Sequence, residues 1–295
     1  MPKELTSGLV QQWITLASGQ FTSRQIRDDL QVISPEGKNN LRQILYRLAD
    51  AGVIARTGQD GTYRKVDTER EVIDWESADP DNVLPIVLPF GIHEVCKLYP
   101  KSIVVVAGSK NEGKTAFLMS CIKPNMDKFV IDYYNSETGP EQLKERLSAM
   151  DFPSPAPFNS WRKYDNFGDV IESNHLSIID YLDMQSEVYL VGAEIERIFR
   201  KVDCCAIIGI QKPPPSVTYV KGVKHIIDRD LGYGGAFSAK RAVLYITMSS
   251  HKLKLVYVKT PANPLINPNN MQWSYGFDET GYFTNIQRYY EYEEM

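Results

Sequence analysis

The sequence predicts an α/β protein with a mainly parallel sheet, preceded by a small α+β module. Three observations predict this. From about residue 91 onward, apolar β-branched runs alternate with amphipathic helical stretches, the pattern of strands joined by helical crossovers. Within that region, KSIVVVAGSKNEGKTAFLMSC (101–121) places the spacing G-x-x-x-x-G-K-T between a strand and a helix. Residues 1–66 read instead as three short helices and a hairpin, followed by an acidic stretch.

The bulk numbers agree with a two-domain soluble protein. The chain has 295 residues, 43% hydrophobic and 24% charged. No apolar run has the length of a bilayer span, and the start of the chain lacks a signal-peptide pattern, so a cytoplasmic, non-membrane protein is expected. Cys96, Cys121, Cys204 and Cys205 show no C-x-x-C spacing and read as reduced core thiols. The expected division is 1–66, an acidic linker at 67–90, and a main domain at 91–295.

In the first module, Leu9, Val10, Trp13, Ile14 and Leu16 predict a helix, and Thr22-Ser23 caps a second through Ile26 and Leu30. Ser34-Pro35-Glu36 opens a third, with Leu41, Ile44, Leu45 and Leu48 on its apolar face. A hairpin follows, turning through Gly58–Gly61. The phrase LYRLADAGVIART (45–57) and this element order resemble the winged-helix family. The module carries 9 Lys/Arg against 6 Asp/Glu. Lys38, Asn40, Arg42 and Arg47 on the third helix suit phosphates and base edges of duplex DNA, or are the wet face of a protein-docking module. The linker holds seven acidic residues against Arg70 alone, a solvated tether or a shield for a basic surface.

In the main domain, Ile103–Val106 is a buried strand and the loop after it has phosphate-binding chemistry. Glycine lets backbone N–H groups close around an anion. The expected nucleotide contacts are Gly108, Ser109, Lys110, Asn111, Glu112, Gly113, Lys114, Thr115 and Ala116, with Lys114 on the β/γ-phosphates and the Thr115 hydroxyl on Mg²⁺. Further strands are expected at 128–134, 162–164, 175–183, 204–211, 242–248 and 254–259, then a hairpin at 271–277 and 282–286. Residues 212–233 read as a long loop. Asp180, at the end of LSIID, fits a Walker B carboxylate beside Thr115.

The segment IIDYLD (178–183) resembles the Walker B region of DnaB-type replicative helicases, members of the RecA-like P-loop ATPase class. NSETGPEQLKERL (135–147) resembles the family segment that carries the catalytic base and puts Glu137 there; the plainer alternative is a helix-capping carboxylate. Gln211 in AIIGIQ stands where the family senses the γ-phosphate. The loop behind it carries Tyr219, Lys221 and Lys224, chemistry suited to single-stranded nucleic acid or simply solvated. GYGGAFSAKRAVLYI (232–246) is similar as well. Lys259 matches a lysine that reaches a neighbouring subunit's nucleotide, but Pro261 stands where the family has an arginine finger.

The resemblance spans about residues 90–286. It implies a RecA-like core using ATP and Mg²⁺, a homo-oligomeric ring or filament, and work as a helicase, translocase or loader in replication or recombination. The N-terminal module in place of the family's usual helical domain resembles compact ATPases of phages and mobile elements. Two alternatives stay open: an ATP-switched DNA-binding regulator with little turnover, which Pro261 favours, and a protein-docking adaptor.

Overall fold

The computed structural model describes residues 5–17, 19–58, 61–68, 70–182, 190–220 and 223–290. The chain divides into two compact units, Met1–Ala78 and Asp79–Met295.

In the first unit, α1 (Ser7–Leu16), β1 (Gln20–Thr22), α2 (Ser23–Asp29), α3 (Pro35–Asp50), β2 (Ile54–Arg56) and β3 (Thr62–Lys65) follow in order. Each helix starts on a hydroxyl. Thr6 accepts from Leu9 N, Thr22 forms a reciprocal capping box with Gln25, and Ser34 accepts from Gly37 N with Pro35 next in line. Val10, Ile14, Ile26, Leu41, Ile44 and Leu45 converge on one core. The three strands form an antiparallel sheet ordered β1-β3-β2. Strand β1 is absent from the sequence reading because three residues carry no period; its pairing to β3 creates it.

The second unit is a nine-stranded sheet. Its strands are β4 (Ser102–Gly108), β5 (Ile131–Asn135), β6 (Asn159–Arg162), β7 (Leu176–Leu182), β8 (Cys205–Gln211), β11 (Ala242–Ser249), β12 (Lys252–Val258), β13 (Gln272–Phe277) and β14 (Phe283–Tyr289). A separate hairpin consists of β9 (Ser216–Val220) and β10 (Val223–Ile227). The sheet order is β14-β13-β12-β11-β4-β8-β7-β5-β6, parallel from β11 to β6 and antiparallel through β12, β13 and β14. All seven residues of β4 are buried. Val104 and Val106 face one core with Phe117 and Leu118, and Ile103 and Val105 face the other with Ile195 and Ile198. A strand buried on both faces reads as the continuous apolar run seen in the sequence.

The helices are α4 (Lys114–Ser120), α5 (Pro140–Ala149), α6 (Leu190–Lys201) and α7 (Ala236–Ala239). Among the described residues no helix is long and apolar enough to cross a membrane, and all four cysteines are buried and free.

Three sequence expectations are revised. Residues 212–233 are not a plain loop, since β9 and β10 pair from Ser216↔Ile227 to Val220↔Val223. The strand expected at 162–164 lies at Asn159–Arg162, where Asn159 Nδ2 and Trp161 Nε1 donate to the buried Asp132 carboxylate at 2.9 Å each and set the register. Residues 79–90 contribute Ile86 and Leu88 to the main core, so compositional acidity overstates the tether. Asp183 and the start of the helix expected from Glu187 fall outside the described residues.

Candidate nucleotide site

Parallel strands align their C-terminal ends, so the segments leaving β4, β5, β7 and β8 meet at one edge of the sheet. There they surround a cleft of about 580 Å³.

The phosphate loop lies between Gly108, which ends β4, and Gly113, which precedes α4. Both glycines are required by space. A Cβ on Gly108 would lie 2.6 Å from Lys114 Cγ; Gly113 has φ +86°, and a Cβ there would meet the Phe277 ring at 2.4 Å. Lys110, Asn111, Gly113, Lys114, Thr115 and Ala116 line the cleft. Gly108, Ser109 and Glu112 support the loop from behind. Glu112 Oε2 accepts from His251 N at 3.0 Å and its carbonyl accepts from Tyr275 Oη at 2.7 Å, which ties the loop to the antiparallel half of the sheet.

Lys114 folds back so that Nζ donates to Ser109 O at 3.3 Å, with the Tyr181 ring beneath it. Burial pulls the Lys114 ammonium below its ordinary pKa, and Asp180, Glu137 and Glu112 pull the other way. Thr115 Oγ1 donates to Asp180 Oδ1 at 3.2 Å, and Tyr133 Oη donates to Asp180 Oδ2 at 2.7 Å. Burial raises the Asp180 carboxyl above its usual range while the two hydroxyl donors oppose that shift.

Glu137 lines the cleft from the segment after β5. Asn135 shapes that segment: its Oδ1 accepts from Glu137 N and Thr138 N at 2.9 Å each, and its Nδ2 donates to Thr138 Oγ1 at 2.6 Å. Gln211 reaches the same cleft, and the next residue's N–H donates to Gly108 O at 3.0 Å, so the end of β8 is bonded directly to the phosphate loop.

The expected residues that converge are therefore the loop, Thr115, Asp180, Glu137 and Gln211. Lys259 does not join them: its side chain is exposed and outside the cleft, and its N–H is fixed to Val243 O at 2.9 Å. Tyr219 and Lys224 are exposed on the β9–β10 hairpin, and Lys221 lies outside the described residues. On α3, Lys38, Arg42 and Arg47 are exposed, while Asn40 Nδ2 donates to Leu5 O at 3.0 Å.

The sequence reading missed several walls of the cleft. Arg146 lies in a stretch read only as amphipathic helix, nine positions after Glu137. Tyr181 directly follows Asp180. Met119, Met150, Phe277 and Thr280 also line the cleft, and no local pattern marks them, because the fold brings them from distant segments.

No protein-family model matches this chain, and no curated protein matches it. Among solved structures it is similar to the ATPase domain of a DnaB-like helicase, with 15% identity, 64% of this chain and 86% of that chain covered, and a TM-score of 0.46.

A nucleotide and Mg²⁺ fit the residues present. The two glycines leave a cradle that side chains would fill, and Ser109 Oγ is buried with no hydrogen-bond partner among the described residues. Thr115 and Asp180 offer hard oxygens, and no cluster of three or more His, Cys, Asp or Glu appears among the described residues. Such a donor set suits a cation completed by phosphate and water.

Proposed function

We propose that this chain is a Mg-ATP-dependent, nucleic-acid-binding ATPase of the RecA-like, DnaB-type class, serving as a helicase, translocase or loader in DNA replication or recombination. The observation that carries the reading is the Thr115–Asp180 hydrogen bond beneath a glycine-cradled loop, with Glu137 and Gln211 facing the same cleft. The sheet order supports it too, since the loop-bearing β4 lies between β11 and β8, the topological switch point of an open parallel sheet.

In this reading the phosphate-loop amides and Lys114 hold the β- and γ-phosphates. Bound Mg²⁺, held at Thr115 and near Asp180, supplies charge neutralisation on the phosphate oxygens. Glu137 orients a water and accepts its proton as the water oxygen bonds to the γ-phosphorus. The bond from that phosphorus to the β–γ bridging oxygen breaks, leaving ADP and phosphate. Arg146, which lines the cleft and whose guanidinium has no hydrogen bond or ion pair among the described residues, adds positive charge to that end. Gln211 passes the phosphate state to the β9–β10 hairpin, where Tyr219 stacks on bases and Lys224, with Lys221, meets phosphates of single-stranded DNA. The N-terminal unit acts as a winged helix whose Lys38, Arg42 and Arg47 meet duplex phosphates, with Asn40 bracing α3. A homo-oligomer, ring or filament, brings the exposed Lys259 to a neighbour's nucleotide.

Steady-state ATP turnover of wild type and Glu137→Gln, with and without single-stranded DNA, tests this. Stimulation of wild type by DNA and loss of turnover in the variant with ATP binding kept is the expected result. Pro261 favours a second reading, an ATP-switched DNA-binding regulator. Negligible turnover in both proteins would establish that reading in place of the first.

A further inference from the structure

The catalytic end of the cleft is defined by Lys114, Glu137 and Gln211. The remaining walls are of another kind. Met119 and Met150 are buried and form an apolar floor, the Phe277 ring forms a side, and the turn from Asp278 to Tyr282 forms the rim.

That turn is locked. Asp278 Oδ1 accepts from Thr280 N, Thr280 Oγ1 and Tyr282 N at 2.9, 2.6 and 2.9 Å, and Asp278 N donates to Tyr282 O at 3.0 Å. Its position over the cleft is fixed on both sides. Phe277 lies directly against Gly113, and Tyr282 Oη donates to Met150 O at the end of α5. The rim is thus preformed at a fixed remove from the phosphate loop.

Its polarity is one-sided. Because the Thr280 hydroxyl gives its proton to Asp278, what it offers the cleft is lone pairs, and its neighbour Glu279 offers a carboxylate. We propose that the Asp278–Tyr282 turn reads the nucleobase: Thr280 Oγ1 and the Glu279 carboxylate receive the exocyclic amine of adenine over the Met119–Met150–Phe277 surface. Guanine places a carbonyl oxygen at the same ring position, and two acceptors facing an acceptor are repulsive. This rests on the phosphate-loop reading, and it assigns the cleft to adenine rather than to purines in general.

The test is equilibrium binding of the adenylyl and guanylyl imidodiphosphates, each with Mg²⁺, to the full chain. The proteins are wild type, Glu279→Gln/Thr280→Val, and Lys114→Ala as the phosphate-end control; inorganic tripolyphosphate is the base-free probe. Wild type is expected to prefer the adenylyl analogue by about tenfold or more, and the double variant to bring the two within about twofold. Unchanged tripolyphosphate affinity in that variant shows that its cleft remains folded. Equal affinities in wild type, or a preference that survives the double substitution, would overturn the proposal while leaving the phosphate site standing. If wild type holds neither analogue nor tripolyphosphate, and Lys114→Ala changes nothing, the nucleotide reading has failed and the base-reading turn fails with it.

Discussion

Tyr133 donates its phenol to Asp180 across 2.7 Å in the interior of the sheet, using one oxygen of the carboxylate that Thr115 holds by the other. The two tyrosines that end the run KFVIDYY divide by alternation. Tyr133 turns toward Asp180, while Tyr134 turns to the opposite core and donates to Val170 O. Removing an outer partner of a metal-side carboxylate typically costs about tenfold or more in metal affinity. Tyr133→Phe is therefore expected to raise the Mg²⁺ concentration for half-maximal ATP turnover by about that factor, and to lower stability by about 1–3 kcal/mol. A magnesium titration of turnover checks this. An unchanged half-saturation point would assign the phenol to packing alone.

Asn135 acts on Glu137 without touching the cleft. Its carbonyl oxygen gathers two successive backbone N–H groups and so sets where the carboxylate points. Asn135→Ala is expected to lower kcat about 10- to 100-fold while KM for ATP stays near wild type, because the phosphate loop is untouched. Asn135→Asp keeps an acceptor at the same place and recovers part of the loss. A parallel rise in KM would mean that the whole edge had moved.

What the sequence disclosed divides along the same line. Gly108, Lys114, Thr115, Asp180, Glu137 and Gln211 each lie at a strand end with a local signature, and the structure gathers all of them except Gly108 around one cleft or onto its metal-side hydrogen bonds. Tyr133, Phe277 and Thr280 were not legible, because their roles come from contacts between segments far apart in the chain. The same holds for β6, whose register is dictated by the buried Asp132, and for β9–β10, hidden behind Pro213, Pro214 and Pro215. Alternation at Ser216–Val220 is a strand signal, but a pairing partner is needed to make it one.

Glu196 and Arg241 join α6 to the start of β11 by two parallel bonds of 2.6 and 2.7 Å, with the guanidinium over the Phe199 ring. The Arg241 hydrogen bonds hold Glu196 down at about 2, against an ordinary value of 4.5. A depressed carboxyl stabilises the fold fully above its unfolded value and ceases to do so as pH falls through the folded value. Arg241→Ala is expected to cost about 1 kcal/mol at neutral pH, a modest figure because the pair is partly exposed. The gap in melting temperature between variant and wild type then narrows steadily from pH 4.5 toward pH 2. Thermal melts across that range decide it; a gap independent of pH would place the effect in the lost Phe199 contact.

Lys212 is the sharpest case, because its ammonium is 1% exposed and meets Asp228 Oδ1 at 3.0 Å. The two residues bracket the β9–β10 hairpin, and the Lys212 N–H is also bonded to Gly108 O, so one residue touches both the phosphate loop and the base of the hairpin. Asp228→Asn leaves a buried cation without its counter-charge, which costs about 3 kcal/mol or more. Lys212→Met combined with Asp228→Asn removes the charge as well as its partner and is expected to regain most of that stability. If the pair only holds the fold together, the double variant also regains DNA-stimulated turnover. If it carries the state of the cleft to the hairpin, stability returns but stimulation by single-stranded DNA does not, while basal turnover stays near wild type. We expect the second outcome, because the hairpin has no other charged anchor beside Gln211 among the described residues. Melting temperature and turnover measured on the same three proteins separate the two.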